Sequence, residues 1–209
     1  MQLPVTDLWA TYQVTAPCVL PHHSGSLLRG VLGRALRRTG CSLSPTCEDA
    51  CASAPGCAYR GLFAPLVHEP SPHRFLKANE RAPAPLVPLF PPPGRLPLVA
   101  GERFGFGLRV LGPFGESDSA RLTSAFEQMS EFPLDDECGR LELVEVAQKG
   151  KRERVVLPSA TTEVCSAMTV TFETPAWIER KGKLVTTLSL SDLFRAVYRR
   201  LTTVCALYG

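Results

Sequence analysis

The stretch SGSLLRGVLGRALRR, residues 24–38, predicts an amphipathic α-helix. Its six apolar residues recur at helical spacing and fill one half of the helix surface. They are Leu27, Leu28, Val31, Leu32, Ala35 and Leu36. The opposite half carries Arg29, Gly30, Gly33, Arg34 and Arg37, with Arg38 at its margin. Ser24 precedes the first apolar residue, as is typical of a helix start. The segment is therefore predicted to bury one face and to expose a basic one.

Two glycines lie on the basic face of this predicted helix. A glycine inside a helix costs about 1 kcal/mol relative to alanine, so Gly30 and Gly33 need a structural reason. Because they lack side chains, they let another chain come close beside the guanidinium groups. The two candidates for that chain are a nucleic-acid phosphate and a neighbouring protein strand.

The composition indicates a folded protein. The 209 residues suffice for one large domain or two small ones, and the hydrophobic and charged fractions of 44% and 21% are close to globular averages. The net charge of +3 is too small to indicate nucleic-acid binding by itself. Clusters of basic residues are the evidence for nucleic-acid binding instead, although each cluster is also explained by a solvated surface. Beyond the helix they are Lys149, Lys151, Arg152 and Arg154, then Lys181 and Lys183.

Cysteine usage and the N-terminus indicate the compartment. No secretory signal is visible, and nothing approaches the roughly 18 consecutive apolar residues of a membrane span. We expect a cytoplasmic protein with no membrane partner. Eight cysteines in a reducing compartment favour metal binding over disulfides. The isolated Cys18, Cys165 and Cys205 lie in apolar contexts and are expected in the core.

The remaining elements predict an α+β fold. Strands are predicted over 8–16, 104–110, 141–147, 154–157, 168–173 and 184–190, and further helices over 118–131 and 191–208. The basic segments 148–151 and 181–183 are interpreted as turns, and the proline-rich segment 41–100 as an extended connection. This order suggests split βαβ units. Since no strand follows the last helix, a sheet edge is expected to need a partner unless the chain is a fragment.

Four cysteines follow the basic helix. They form the pattern Cys41-x5-Cys47-x3-Cys51-x5-Cys57, and four thiolates so spaced can close a tetrahedral zinc shell. The segment is rich in coil and lacks a core of its own, which favours structural zinc. A disulfide pair and unligated cysteines are the alternatives.

These features together resemble the Cas6 family, the RAMP-type endoribonucleases that process CRISPR RNA in antiviral defence. The resemblance begins with Gly25–Leu36, the four cysteines and Ala58-Tyr59. It continues through Pro91–Pro93, Gly101-Glu102, 104–112, Phe172, Thr174, Pro175, the 181–183 turn and the helix over 191–208. It therefore covers most of the chain, although family members continue past this helix into strands and a glycine-rich RNA-contacting loop.

The resemblance implies two ferredoxin-like domains of the RAMP or RRM-like kind. The first would span residues 1–150 and contain the Cys-rich insertion at 41–100. The second, over residues 151–209, would be incomplete.

The resemblance also implies metal-independent cleavage, in which a 2′-hydroxyl attacks the adjacent phosphate. This reaction needs a general base, a general acid and a cation. His22 and His23 are the catalytic candidates, because the family often places a histidine in this region and histidine titrates near neutrality. The alternative is that both are ordinary loop residues. Weaker candidates are Tyr12, Lys77, His68 and His73.

The partner implied is CRISPR repeat RNA, or the processed guide RNA, held on a track of basic residues. The track would use the four arginines of the helix together with the basic turns at 149–154 and 181–183. Two RNA functions follow: an endoribonuclease, or a catalytically silent subunit that holds the guide RNA end beside other Cas subunits. A third reading is a zinc-stabilised interaction domain whose arginines meet acidic protein surfaces. Motifs for nucleotide hydrolysis, zinc proteolysis and esterase chemistry are missing from the sequence.

Overall fold

A computed structural model gives the α+β architecture of the chain. It describes residues 3–41, 57–67, 81–89, 94, 96–134, 139–152, 167, 169–172, 178–180 and 183–209. Its strands are β1 Val5–Ala16, β2 Cys18–Leu20, β3 Leu86–Leu89, β4 Leu96–Leu98, β5 Arg103–Leu111, β6 Arg140–Arg152, β7 Glu179–Arg180 and β8 Lys183–Leu184. Its α-helices are α1 Gly25–Gly40, α2 Glu116–Met129 and α3 Leu190–Tyr208, and Tyr59–Phe63 form a π-helical turn.

The core of the fold is a four-stranded antiparallel sheet in the order β3-β5-β1-β6. Strand β1 lies inside the sheet and pairs with β5 from Val5↔Leu111 to Gln13↔Arg103. Its other edge pairs with β6 from Val5↔Arg152 to Ala16↔Arg140, with three register shifts. Helices α1 and α2 contact each other and pack on one face of this sheet.

The alternation of apolar and polar side chains along β1 determines which face of the sheet the helices cover. Leu8, Ala10, Tyr12 and Val14 are buried beneath them, as the period of two in a strand requires. The Tyr12 hydroxyl donates to the main-chain carbonyl of Phe126 in α2 at 3.1 Å, and burial raises the pKa of Tyr12. Tyr12 is therefore a core residue, and it is not placed to assist cleavage.

The predicted amphipathic helix is confirmed. Helix α1 begins at Gly25 after Ser24 and buries Leu28, Val31, Leu32, Ala35 and Leu36, while Leu27 is half-buried. Its two glycines differ: Gly30 faces open space, whereas a Cβ on Gly33 would lie 2.8 Å from the ring of Phe63. A protein side chain, not a nucleic-acid phosphate, therefore explains the glycine at position 33.

The turn predicted at 148–151 is wrong. Strand β6 runs unbroken from Arg140 to Arg152, and Gly150 pairs with Asp7 inside the ladder. The reason is the length of β1, which offers twelve residues and holds β6 extended through the basic segment. The strand predicted at 154–157 lies outside the described residues.

The proline-rich connection is more ordered than predicted. Strand β3 forms an edge of the main sheet, and β4 pairs with β2. Pro88 lies within β3, where its missing N–H is tolerated because an edge strand has one free side. The predicted strands 104–110 and 141–147 are confirmed within β5 and β6, and the helix predicted at 118–131 is α2.

The C-terminal third was predicted less well. Strands were predicted over 168–173 and 184–190, but residues 169–172 and 185–189 are not in strands. Among the described residues after β6, strand pairing is limited to the two-residue strands β7 and β8. The last helix is confirmed as α3, and its apolar side chains Phe194, Val197 and Leu201 are 64%, 48% and 46% exposed. Of the described helices, none has the length and apolar character needed to cross a membrane.

Helix α3 docks on the sheet domain through its C-terminal half. The Tyr208 hydroxyl donates to the Pro83 carbonyl at 3.0 Å, and Arg200 donates to the Ala84 carbonyl at 3.1 Å. Gly112 has a φ of +101° and lies against Tyr208, where a Cβ would come within 2.7 Å of the tyrosine Cβ. A glycine at position 112 thus provides both the turn after β5 and the space for α3.

We expect alanine at the two α1 glycines to have unequal effects. Gly30→Ala should raise the free energy of unfolding by about 0.5–1 kcal/mol, because the methyl group meets nothing and alanine favours the helix. Gly33→Ala should give no such gain, because its methyl group displaces Phe63. Urea denaturation of both variants measures the difference, and equal stabilisation would contradict the packing of Phe63 on Gly33.

Candidate nucleic-acid interface

The exposed face of α1 is basic and carries no opposing charge of its own. Arg29, Arg34 and Arg38 are exposed and Arg37 is half-buried. No aspartate or glutamate occurs in α1, or anywhere in residues 8–47. The positive potential of this face is therefore not neutralised from within its own helix.

Aromatic rings hold the four guanidinium groups on the two flanks of α1. On one flank, Arg29 lies 4.5 Å from the ring centroid of Phe63, and Arg37 lies 4.3 Å from that of Tyr59. On the other flank, Arg34 and Arg38 lie 5.1 and 5.8 Å from the ring of Phe132. Cation–π contacts of this kind contribute about 0.5–1 kcal/mol at exposed sites and orient the side chains.

Arg37 is the most constrained of the four. Its Nη2 donates to the Tyr59 hydroxyl at 2.5 Å, and Tyr59 in turn stacks on Phe63 with ring centroids 5.2 Å apart. Its Nε is buried and has no hydrogen-bond partner among the described residues. Arg37 thus belongs to the packing between α1 and the π-helical turn, whereas Arg34 and Arg38 remain available to a ligand.

A cavity of about 320 Å³ opens beside α1, between the edge strand β3 and helix α3. Three arginines from separate parts of the chain line it: Arg29 of α1, Arg81 before β3, and Arg200 of α3. The other lining residues are apolar: Leu32, Phe63, Ala64, Pro65, Ala82, Pro83, Ala84, Leu86 and Pro88. Among the described residues that line the cavity, none is acidic.

The docking of α3 fixes one of these arginines. Burial lowers the pKa of Arg200, an effect that Tyr208 opposes, and burial raises the pKa of Tyr208 to about 12. The hydrogen bonds from Arg200 and Tyr208 to the carbonyls of Ala84 and Pro83 attach α3 to the wall of the cavity. The Arg200 guanidinium is exposed and bound to a neutral carbonyl, so this hydrogen bond leaves its positive charge in place.

The predicted catalytic histidines lie in the turn before α1. His22 and His23 are exposed, and their rings meet edge to face with centroids 4.6 Å apart. The N–H of Gly94 donates to the His22 carbonyl at 3.0 Å, which joins this turn to the segment before β4. Neither histidine lines the three-arginine cavity.

The second predicted basic cluster does not join the first. Lys149 lies 4.6 Å from the ring of Trp9, on the sheet face opposite the helices. The indole of Trp9 lies against Gly105 and Gly107, where a Cβ would come within 2.7 Å of it. The α1 arginines and Lys149 are therefore on opposite sides of the sheet.

The other members of the predicted track are only partly placed. The backbones of Lys151 and Arg152 pair with Thr6 and Val5 in the ladder. Lys183 is exposed in β8. Arg154 and Lys181 lie outside the described residues, as do Lys77, His68 and His73.

The two ends of the cysteine segment come together. Cys41 follows the last residue of α1 and Cys57 is buried at the start of the π-helical turn, and both are free thiols. A Cβ on Gly40 would lie 3.4 Å from the Cβ of Ala58, so the neighbours of the first and last cysteines are in contact. Cys47 and Cys51 lie outside the described residues, and within the described part no three potential metal ligands form a group.

Sequence patterns did not single out the residues that complete the cavity. Arg81 lies within the proline-rich segment 41–100, and Arg200 is one of several arginines on the last helix. No spacing rule brings them together with Arg29, because the docking of α3 on residues 83–84 determines that arrangement.

Comparison with protein families adds one assignment. The family model AF_1859_N, described as an N-terminal domain, matches residues 3–169. The chain belongs to this family. The matched span contains the four-stranded sheet with α1 and α2, and the AF_1859_N match ends before α3. No curated protein matches the chain.

Proposed function

We propose that this chain is a CRISPR-associated RNA-binding protein that recognises precursor CRISPR RNA repeats and cleaves them without a metal. The observation that carries the proposal is the acid-free arginine face of α1, with Arg29, Arg34 and Arg38 exposed. Guanidinium groups bind phosphates through paired hydrogen bonds, and phosphate contacts supply a large share of the affinity in nucleic-acid binding. The choice of CRISPR RNA rests on the sequence resemblance to Cas6.

We further propose that the sheet domain is ferredoxin-like. Its support is the chain order β1-α1-β3-β5-α2-β6 combined with the sheet order β3-β5-β1-β6, in which each helix links two strands of one antiparallel sheet. An incomplete second unit over residues 151–209 stays a prediction. RRM-type domains stack bases on the open sheet face, but here Lys149 lies over Trp9 on that face. The helix side is therefore the surface that we propose for RNA.

Binding of a labelled CRISPR repeat hairpin should depend steeply on salt. We expect affinity to fall by orders of magnitude between about 50 mM and about 200 mM salt, because each neutralised phosphate releases counterions. The double variant Arg34→Gln, Arg38→Gln should reduce the slope of log affinity against log salt by about 1.4, at about 0.7 for each lost contact. The measurement is a filter-binding or anisotropy titration at several salt concentrations.

A matched double variant controls for loss of charge alone. Arg121→Gln with Arg140→Gln removes two exposed arginines outside the α1 face and should leave the slope unchanged. Salt-independent affinity, or equal slopes for the two double variants, would refute the α1 face as the RNA site. The same incubation shows whether the RNA is cut, bound but uncut, or neither.

For cleavage, we propose that His22 and His23 share the proton transfers. The base takes the proton of the 2′-hydroxyl, the 2′ oxygen bonds to phosphorus, and the 5′ oxygen leaves with a proton from the acid. A positioned acid or base contributes about 100-fold or more, so His22→Ala with His23→Ala should abolish cleavage while binding persists. Rates from gel assays at saturating protein measure this, and full activity of the double variant would exclude both histidines.

A catalytically silent subunit of a CRISPR effector complex is the second candidate. One observation favours it: between residues 190 and 201, α3 exposes large apolar side chains, which suits a helix placed against another subunit. They are Leu190, Phe194, Val197, Tyr198 and Leu201. Repeat RNA that is bound but never cut would select this candidate over the endoribonuclease.

We also propose that Cys41, Cys47, Cys51 and Cys57 hold a structural zinc ion. The contact between Gly40 and Ala58 supports this, because it brings together the two ends of the segment that carries the four thiols. Elemental analysis should find about one zinc per chain, and less in Cys47→Ser. Cys205→Ser is the control, since this thiol lies in α3, and purified protein with only a small fraction of bound zinc would reject the site.

A further inference from the structure

Helix α3 carries an apolar stripe that the sheet domain does not cover. Its residues recur at helical spacing and therefore share one side of the helix. They are between 46% and 64% exposed: Leu190, Phe194, Val197, Tyr198 and Leu201. Arg195 is exposed three residues before Tyr198, which places it at the border of the stripe. The acidic residue of α3, Asp192, is buried and accepts a hydrogen bond from the Ser189 hydroxyl at 2.7 Å, so the exposed charges of this helix are positive.

A groove of about 490 Å³ lies between α2 and β6. The N–H of Leu143 in β6 donates to the hydroxyl oxygen of Ser130, directly after α2, at 3.2 Å, and this bond ties the two sides of the groove together. Val144 lies at the register shift between Thr11 and Tyr12 and has no partner in β1, as is typical of a β-bulge. It is 46% exposed, so the bulge offers an apolar side chain to a ligand in the groove.

The groove and the stripe are complementary in character. The groove has apolar lining residues in Leu143, Val144 and Val146, and it has three exposed carboxylates: Glu127, Glu142 and Glu145. Among its described lining residues none is basic. Complementary charges steer association, whereas like charges placed together oppose it. A helix with an apolar stripe and exposed arginines therefore matches this groove better than it matches a second copy of itself.

The stripe and the groove belong to opposite edges of the main sheet. Helix α3 docks beside β3 through the carbonyls of Pro83 and Ala84, and the groove includes β6. Strands β3 and β6 are the first and last in the sheet order. One copy can therefore offer α3 to a neighbour on one side while its own groove receives α3 from a neighbour on the other. Such a contact between two different surfaces is heterologous and builds a ring or an open row.

We propose that copies of this chain associate head to tail, with the apolar stripe of α3 from one copy in the α2–β6 groove of the next. The association goes beyond the proposed RNA function, because it uses neither the arginine face of α1 nor the three-arginine cavity, which no stripe residue lines. A single helix in one groove is a small interface, and small interfaces are typically transient.

Sedimentation equilibrium of the full chain at increasing concentration tests the proposal. We expect the average mass to rise above that of one chain. Phe194→Gln with Val197→Gln removes apolar contacts from the stripe, and Val144→Arg places a positive charge in the groove. Each variant alone should stay a single chain, because each has lost one of the two surfaces. Val19→Gln is the control, since Val19 is 53% exposed in β2, outside both surfaces, and should associate like the unchanged chain.

An equimolar mixture of the stripe variant and the groove variant identifies the contact. The stripe variant keeps its groove and the groove variant keeps its stripe, so the mixture should form a complex of two chains. It should grow no further, because the two surfaces left over are the altered ones. The complex would also show that both variants are folded. Arg195→Gln should weaken association of the otherwise unchanged chain several-fold, whereas Arg103→Gln, exposed in β5, should not.

Four results would overturn the proposal. A chain that stays single up to about 1 mM makes no such contact, and its stripe is left to a different protein. Undiminished association of the groove variant would mean that the stripes of two copies meet each other. A mixture that stays single would show that stripe and groove do not bind. Undiminished association of Arg195→Gln would remove the charge match that selects this groove.

Discussion

Pairing of β1 along both of its edges is the constraint on which the rest of the structure depends. Strands β5 and β6 both pair with this twelve-residue strand. The alternation of buried and exposed side chains along β1 therefore determines the two faces of the whole sheet. Tyr12 then fixes α2 by donating to the carbonyl of Phe126, and α1 packs beside α2. The basic face of α1 points away from the sheet only because its apolar half is committed to this core.

Helix α1 also connects the core to the cavity. Leu32 from its buried half and Arg29 from its basic half both line the cavity. Strand β3 and helix α3, from distant parts of the chain, contribute further lining residues. The cavity is thus assembled by tertiary packing, because its lining residues come from separate parts of the chain.

The sequence predicted the elements whose signals are local. The apolar spacing in α1 and the alternation in β5 required only nearby residues, and both were confirmed. The prediction of a turn at 148–151 was wrong because it considered only the local glycine and lysines. Pairing with β1 places Gly150 opposite Asp7 and keeps this segment extended. Strand β3 was missed because Pro88 argues against a strand except at an edge. The cavity could not be predicted, since it depends on where α3 docks.

Phe63 links the packing of α1 to the position of an arginine on its surface. Its ring packs on Gly33, stacks on Tyr59, lies beneath Arg29 and forms part of the cavity wall. A larger residue at position 33 would move the ring and, with it, the orientation of the arginine and the shape of the wall. The glycine is unfavourable for the helix by about 1 kcal/mol, but it is the residue that lets the aromatic ring hold Arg29 at the cavity. The glycine in the middle of α1 is therefore explained by the packing of Phe63, not by the preference of the helix.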